Sequence, residues 1–179
     1  MATASWLLLT YKVPPEPASK RIALWRRLKG MGAVYLQNGV CLLPKTDDHV
    51  RRLKMLENDI GEMAGEAVIL ETVALDRAQE EKVLSRFKAD RDDAYGEFID
   101  KCDDFEREIA KETAAEHFTY AELEENDEDL TKLKNWLAKV QARDVLGAGE
   151  AGGAVEAVAR CDGALEGFAA RVYEAEGSR

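Results

Sequence analysis

Eight cations fall into two groups within the first third of the sequence. Lys20, Arg21, Arg26, Arg27 and Lys29 make up one, and Arg51, Arg52 and Lys54 the other. Guanidinium and ammonium groups at this density can hold nucleic-acid phosphates or bind a smaller oxyanion through charge-assisted hydrogen bonds. Residues 1–55 carry ten Lys and Arg against three acids, a net +7, which leaves −17 on the rest of a chain whose formal charge is −10. Such a division of sign fits a basic binding head and an acidic body. Helical faces that simply alternate in sign would also produce it. The acidic total argues against a protein that coats nucleic acid along its whole surface.

Residue patterns for catalysis are missing. The sequence has no GxSxG, P-loop or GxGxxG, and no Cys/His pairing at a useful spacing. Of the two histidines, His49 falls in the first turn of a helix and is expected on the surface. Glu112, Glu116 and His117 could share adjacent helical faces and hold a divalent metal. No second ligand-rich segment accompanies them, so a solvated helix end is the better reading. The acidic run ELEENDED, Glu122 to Asp129, lacks the turn glycines and alternating ligands of a calcium loop and reads as a solvated loop or helix start. No enzymatic activity, metal or cofactor is therefore expected. Cys41, Cys102 and Cys161 are far apart and odd in number. With no basic segment in the opening MATASWLLLTYK, they point to buried thiols in a reducing cytoplasm. The apolar run there is too short to cross a membrane, and no membrane association is expected.

The basic groups need elements to carry them. Ser5 to Val13 reads as a buried strand, stopped by Pro14-Pro15. Pro17 opens a helix to about Lys29, with Ile22, Trp25 and Leu28 as its apolar stripe. The stretch AVYLQNGVCLLP holds two apolar runs around Asn38-Gly39, a strong hairpin signal because both residues tolerate the positive φ of a type I′ turn. Thr46 is a natural N-cap, followed by Asp47 and Asp48 at the positive helix end and by a stripe at Val50, Leu53, Leu56, Ile60 and Met63. Glu66 to Leu75 is the last strand. This β-α-β-β-α-β order is that of an α+β, ferredoxin-like head, expected over residues 1–76. Both faces of its strands are apolar, with Trp6 and Leu8 on one side of the first strand and Leu7 and Leu9 on the other, so protein is expected to cover the second face. Val34, Leu36 and Leu43 are assigned to one face of the hairpin, and Tyr35, Val40 and Leu42 to the other.

Residues 77–179 read as a helical region packed on the head. Leu84, Tyr95, Phe98, Cys102, Phe105 and Ile109 mark a long helix whose stripe is interrupted only by Arg91. Phe118-Thr119-Tyr120 marks a corner. Leu130, Leu133, Trp136, Leu137 and Val140 start a second stripe, Gly147 to Ala154 reads as a flexible joint, and a final helix carries Val155, Val158, Cys161, Leu165, Phe168 and Val172.

WLLLTYKVPPEPASKRIALWRRLKGMGAVYLQNGVCLLP closely resembles the N-terminal domain family of ChrB, a regulator of bacterial chromate-resistance operons. FTYAELEENDEDLTKLKNWLAKVQARDVLGA and FAARVYEAE are similar to the same family, so the resemblance spans essentially the whole chain. It implies a cytoplasmic transcriptional regulator, or an accessory protein, that binds the promoter DNA of a chromate-resistance operon and takes chromate as inducer. It also implies a further C-terminal domain in full-length members. A homodimer is one way to cover the second sheet face. The head is also similar to a small CRISPR spacer-acquisition nuclease, in which an aspartate ending the first strand holds a metal. Lys12 stands at that position here, and a lysine cannot replace a metal-binding carboxylate. The competing expectation, from a different class, is a protein-interaction module with acidic helices that binds no DNA.

Overall fold

The computed structural model describes residues 4–178; Met1 to Thr3, part of the opening segment that lacks a basic run, lie outside the described residues, as does Arg179. The elements follow the order β1 (Trp6–Lys12), α1 (Ala18–Gly30), β2 (Val34–Gln37), β3 (Val40–Pro44), α2 (Asp47–Glu62), β4 (Glu66–Thr72), α3 (Arg77–Ala114), α4 (Tyr120–Arg143) and α5 (Ala151–Gly177). The chain is mixed α/β, with one four-stranded antiparallel sheet in the order β2-β3-β1-β4. It divides into two compact units, residues 1–90 with 142–146, and residues 91–141 with 147–179.

The first unit holds the sheet. Leu7 opposes Leu43 and Leu9 opposes Cys41 across β1 and β3, and these side chains point to the face covered by α1 and α2. Leu24 and Leu28 of α1 and Leu53, Leu56 and Ile60 of α2 complete that core. The stripe expected on α1 is corrected here: Leu28 is buried, but Ile22 is 47% and Trp25 50% exposed, and Leu24 takes the buried position. Residues four apart lie closer to one helical line than residues three apart, so Leu24 and Leu28 share the buried line while Ile22 and Trp25 lie to one side of it. On α2 the cap forms as expected, with Thr46 Oγ1 accepting from the His49 backbone N–H at 3.1 Å. His49 itself is buried, not on the surface. It precedes Leu53, Leu56 and Ile60 at helical spacing, and its Nδ1 donates to the Pro44 carbonyl at 2.7 Å, which satisfies the buried ring.

The second sheet face is covered in part. Trp6, Val34 and Leu42 are buried there with Phe87 from the first turns of α3, and Val83 and Val145 pack against them. The Trp6 and Phe87 rings stack with centroids 5.3 Å apart. Toward β4 the face is open, with Val68 and Leu70 half exposed. The hairpin faces also need correction. Val34 pairs with Leu42, so Leu42 rather than Leu43 shares its face, because the register shifts between Tyr35 and Gln37 and leaves Leu36 as an extra residue. β4 ends at Thr72, short of the expected Leu75.

The second unit is built on one core shared by three helices. Tyr95, Phe98, Cys102, Phe105 and Ile109 of α3 pack with Leu130, Leu137 and Val140 of α4 and with Cys161, Leu165, Phe168 and Val172 of α5. Leu84, expected in the α3 stripe, is exposed. Phe87 is the residue buried in that part of the helix. The stretch ELEENDED forms the first turns of α4, the helix start of the two expectations, and its Asn126 is buried with Nδ2 donating to Glu112 Oε2 at 2.6 Å. The expected joint at Gly147 to Ala154 is only partly one, since α5 already begins at Ala151. Among the described residues, no helix is long and apolar enough to cross a membrane.

Candidate nucleic-acid interface

α1 and α2 lie on the same sheet face, which brings some of the eight cations together and separates others. Arg27 and Arg52 edge one groove of about 280 Å3, floored by Met31 and Leu56. Neither cation is without a partner. Arg27 pairs with Asp59 at 2.5 Å, and Arg52 with Asp48 at 3.6 Å. Arg51 also bonds Asp48, at 2.5 Å, and that bond holds the Asp48 carboxyl below its ordinary range. Lys29 pairs with Asp90 at 3.2 Å. All of these pairs are partly or largely exposed, where an ion pair contributes about 0–1 kcal/mol and exchanges readily. Each can release its cation to a phosphate.

Lys20 and Arg26 are exposed on α1 with no carboxylate partner among the described residues. Lys54 is on another part of α2, beside Glu57 and Glu62 in a shallow depression. Arg21 lines a separate cleft of about 780 Å3, together with Lys12, Trp25, Tyr35 and Asn38. Four of the eight residues are thus divided among three separate surfaces of the first unit, Arg27 and Arg52 on one, Lys54 on a second and Arg21 on a third. Sequence reasoning treated Lys12 only as a missing carboxylate and Trp25 as core. The signal available was an apolar residue one step off the Leu24–Leu28 line, beside an arginine.

The hairpin forms the far wall of the cleft. Gly39 has φ +74°, and a Cβ on it would lie 2.5 Å from the Tyr11 carbonyl oxygen, so only glycine allows so close an approach. The Tyr11 N–H donates to the Gly39 carbonyl at 2.8 Å, pinning the turn to β1. The Tyr11 and Tyr35 hydroxyls lie 2.7 Å apart. Burial, and then the bond to Tyr11, keep the Tyr35 phenol protonated well above its ordinary range. Two hydroxyls in one bond use one proton between them, and the other remains available to an acceptor.

No group of three or more His, Cys, Asp or Glu able to hold a metal occurs among the described residues. Glu112, which the spacing places near Glu116 and His117, bonds Asn126 instead.

An α/β unit of nearly balanced charge, 15 Lys and Arg against 13 Asp and Glu with the excess of cations confined to residues 1–55, is joined in one chain to an acidic helical unit. The family described as Protein ChrB, N-terminal, matches residues 21–179, and the chain belongs to it. Protein ChrB of Cupriavidus metallidurans is 32% identical over 95 residues, which are 53% of this chain and 29% of that protein. The matched part of the chain thus spans under a third of that relative's length.

Proposed function

We propose that the chain is a DNA-binding regulator, or an accessory protein, of a bacterial chromate-resistance operon. Its first unit holds duplex phosphates on α1 and along the groove edged by Arg27 and Arg52. The observation that carries this reading is the set of exposed cations on α1, Lys20 and Arg26, standing free of carboxylates among the described residues on the same helix that brings Arg27 to that groove. The family relation supports an association with chromate resistance, and in this reading chromate is the inducing signal. The strand order β2-β3-β1-β4, with α1 and α2 on one face, supports reading the first unit as ferredoxin-like. Nothing in this reading requires chemistry on the nucleic acid.

Fluorescence anisotropy of a labelled duplex carrying the promoter of the operon tests it. Lys20→Ala and Arg26→Ala should each weaken binding alike on promoter and unrelated duplexes, and each should flatten the dependence on salt by about 0.9 in the log–log slope. Unchanged binding in the double variant would remove α1 from the interface. No binding of any duplex by the native chain would leave the interaction-module reading in its place.

A further inference from the structure

The cleft at the hairpin end of the first unit combines features that the phosphate-holding surface of α1 and α2 does not use. Trp25 is half exposed at its edge and brings an indole ring to the cleft. Lys12 and Arg21 line the same cleft, and among the described residues no carboxylate does. Arg21 makes only a long contact, 3.5 Å, to the Pro15 carbonyl. Gln37 and Asn38 bring side-chain amides that can both donate and accept, and the Tyr11–Tyr35 pair has a hydroxyl proton to spare. The wall that carries these groups is fixed by the Gly39 contact with Tyr11.

A flat apolar face, two cations without a salt bridge among the described residues (Glu66 stands across the β1–β4 ladder from Lys12) and a few amides fit one ligand chemistry. A small inorganic oxyanion would use the cations and leave Trp25 idle. An apolar ligand would leave the cations and amides unpaired. A base with its phosphate uses all three. We propose that this cleft is a nucleotide site, with an unstacked base laid on Trp25, its edge met by Gln37 and Asn38, and its phosphate held by Lys12 and Arg21. Two sources share this chemistry: a free nucleotide, and a nucleotide within single-stranded DNA. The site is separate from the groove edged by Arg27 and Arg52, so it does not depend on duplex binding.

Tryptophan fluorescence of the full chain reads the site, because base stacking quenches an exposed indole while Trp6 is buried and Trp136 is partly buried against Phe98. Three probes are titrated at low salt: thymidine monophosphate, a single-stranded oligothymidylate of twelve nucleotides, and a duplex of the same length. Quenching by the oligonucleotide or the mononucleotide is expected. It should be lost in Trp25→Ala, with oligonucleotide affinity falling roughly five-fold to over a hundred-fold, the range that one stacked base contributes. Lys12→Ala should weaken both ligands, and Lys82→Ala, a lysine outside the cleft, neither. If circular dichroism shows Trp25→Ala misfolded, Trp25→Phe replaces it: stacking persists, so affinity should stay within a few-fold while the quench disappears. Equal affinity of mononucleotide and oligonucleotide would assign the site to free nucleotides, and much tighter oligonucleotide binding to single-stranded DNA. Absence of quenching by both, or full oligonucleotide affinity in Trp25→Ala, would overturn the proposal. Duplex binding without quenching by either the mononucleotide or the oligonucleotide would sink this site and spare the operon reading. Trp25-dependent oligonucleotide binding without duplex binding would do the reverse.

Discussion

Phe87→Ala should destabilise the first unit more than any exposed substitution on α3. Phe87 is 2% exposed and stacks on Trp6, with Val34 and Leu42 on the same sheet face. Truncating a buried Phe costs about 3–5 kcal/mol, which includes the cavity left behind. The ring pair adds about 0.5–1.5 kcal/mol beyond area alone, and part of the site can relax toward the open end of the face at Val68 and Leu70. About 4 kcal/mol is a fair centre, and at about 2–4 °C per kcal/mol for a chain of this size the midpoint should fall by roughly 8–16 °C. Leu84→Ala, three residues earlier and 39% exposed, is the matched control, and it should cost less than about 1 kcal/mol. Urea unfolding followed by tryptophan fluorescence measures both. A Phe87→Ala loss no larger than that of Leu84→Ala would mean that α3 does not cover this face and that Trp6 does not pack on Phe87.

Asp59→Asn should release Arg27 from its 2.5 Å pair and remove one negative charge from the groove. A charge pair near 4 Å is worth about 1 kcal/mol in water, so duplex affinity should rise up to roughly five-fold, readable by anisotropy at low salt. The Glu112 carboxyl is raised above its ordinary range, first by burial and then by repulsion from Glu122 and Glu108, while the Asn126 bond opposes the shift. Its raised folded-state value means its contribution is present at acid pH and lost as pH rises through the raised range. Glu112→Gln keeps an acceptor for Asn126, so it should leave stability near pH 4 unchanged, raise it at pH 7, and flatten the pH profile of the thermal midpoint. Burial pushes the Cys41 and Cys161 thiols up to about 12; all three cysteines are buried and should resist Ellman's reagent at pH 8 until the chain is unfolded, when three thiols should react.

Elements with strong local signals were legible in the sequence. The hairpin turn at Asn38-Gly39 and the Thr46 cap are where the spacing predicts them, because a tight turn and a helix cap each depend on one or two residues, but only Gly39 of the pair has a positive φ, so the turn is not the expected type I′. The three C-terminal stripes were legible for the same reason, since burial repeats at 3 and 4 over long helices, except at the starts of α3 and α5, where Leu84 and Val155 are exposed and Phe87, Ala154 and Ala157 are buried instead. What depends on partners distant in sequence was not. The Leu36 bulge is set by how β2 meets β3, and it reassigns Leu42 and Leu43 without changing the apolar pattern. Phe87 belongs to the sheet through its contact with Trp6, 81 positions away in sequence, so a head ending at residue 76 would lack its own cover. The basic groups were visible, but not their pairing with Asp59 and Asp90, which neighbouring elements supply. The cleft was hidden because its walls come from β1, α1 and the hairpin together.

If the first unit holds DNA by its phosphates, the most direct measurement is the affinity of the full native chain for duplex DNA from about 50 to 200 mM salt. Contacts from Lys20, Arg26 and the Arg27–Arg52 groove amount to at least three phosphates, so log affinity should fall against log salt with a slope of about −3 or steeper. A slope near zero, or no binding at the lowest salt, would contradict phosphate binding by this unit.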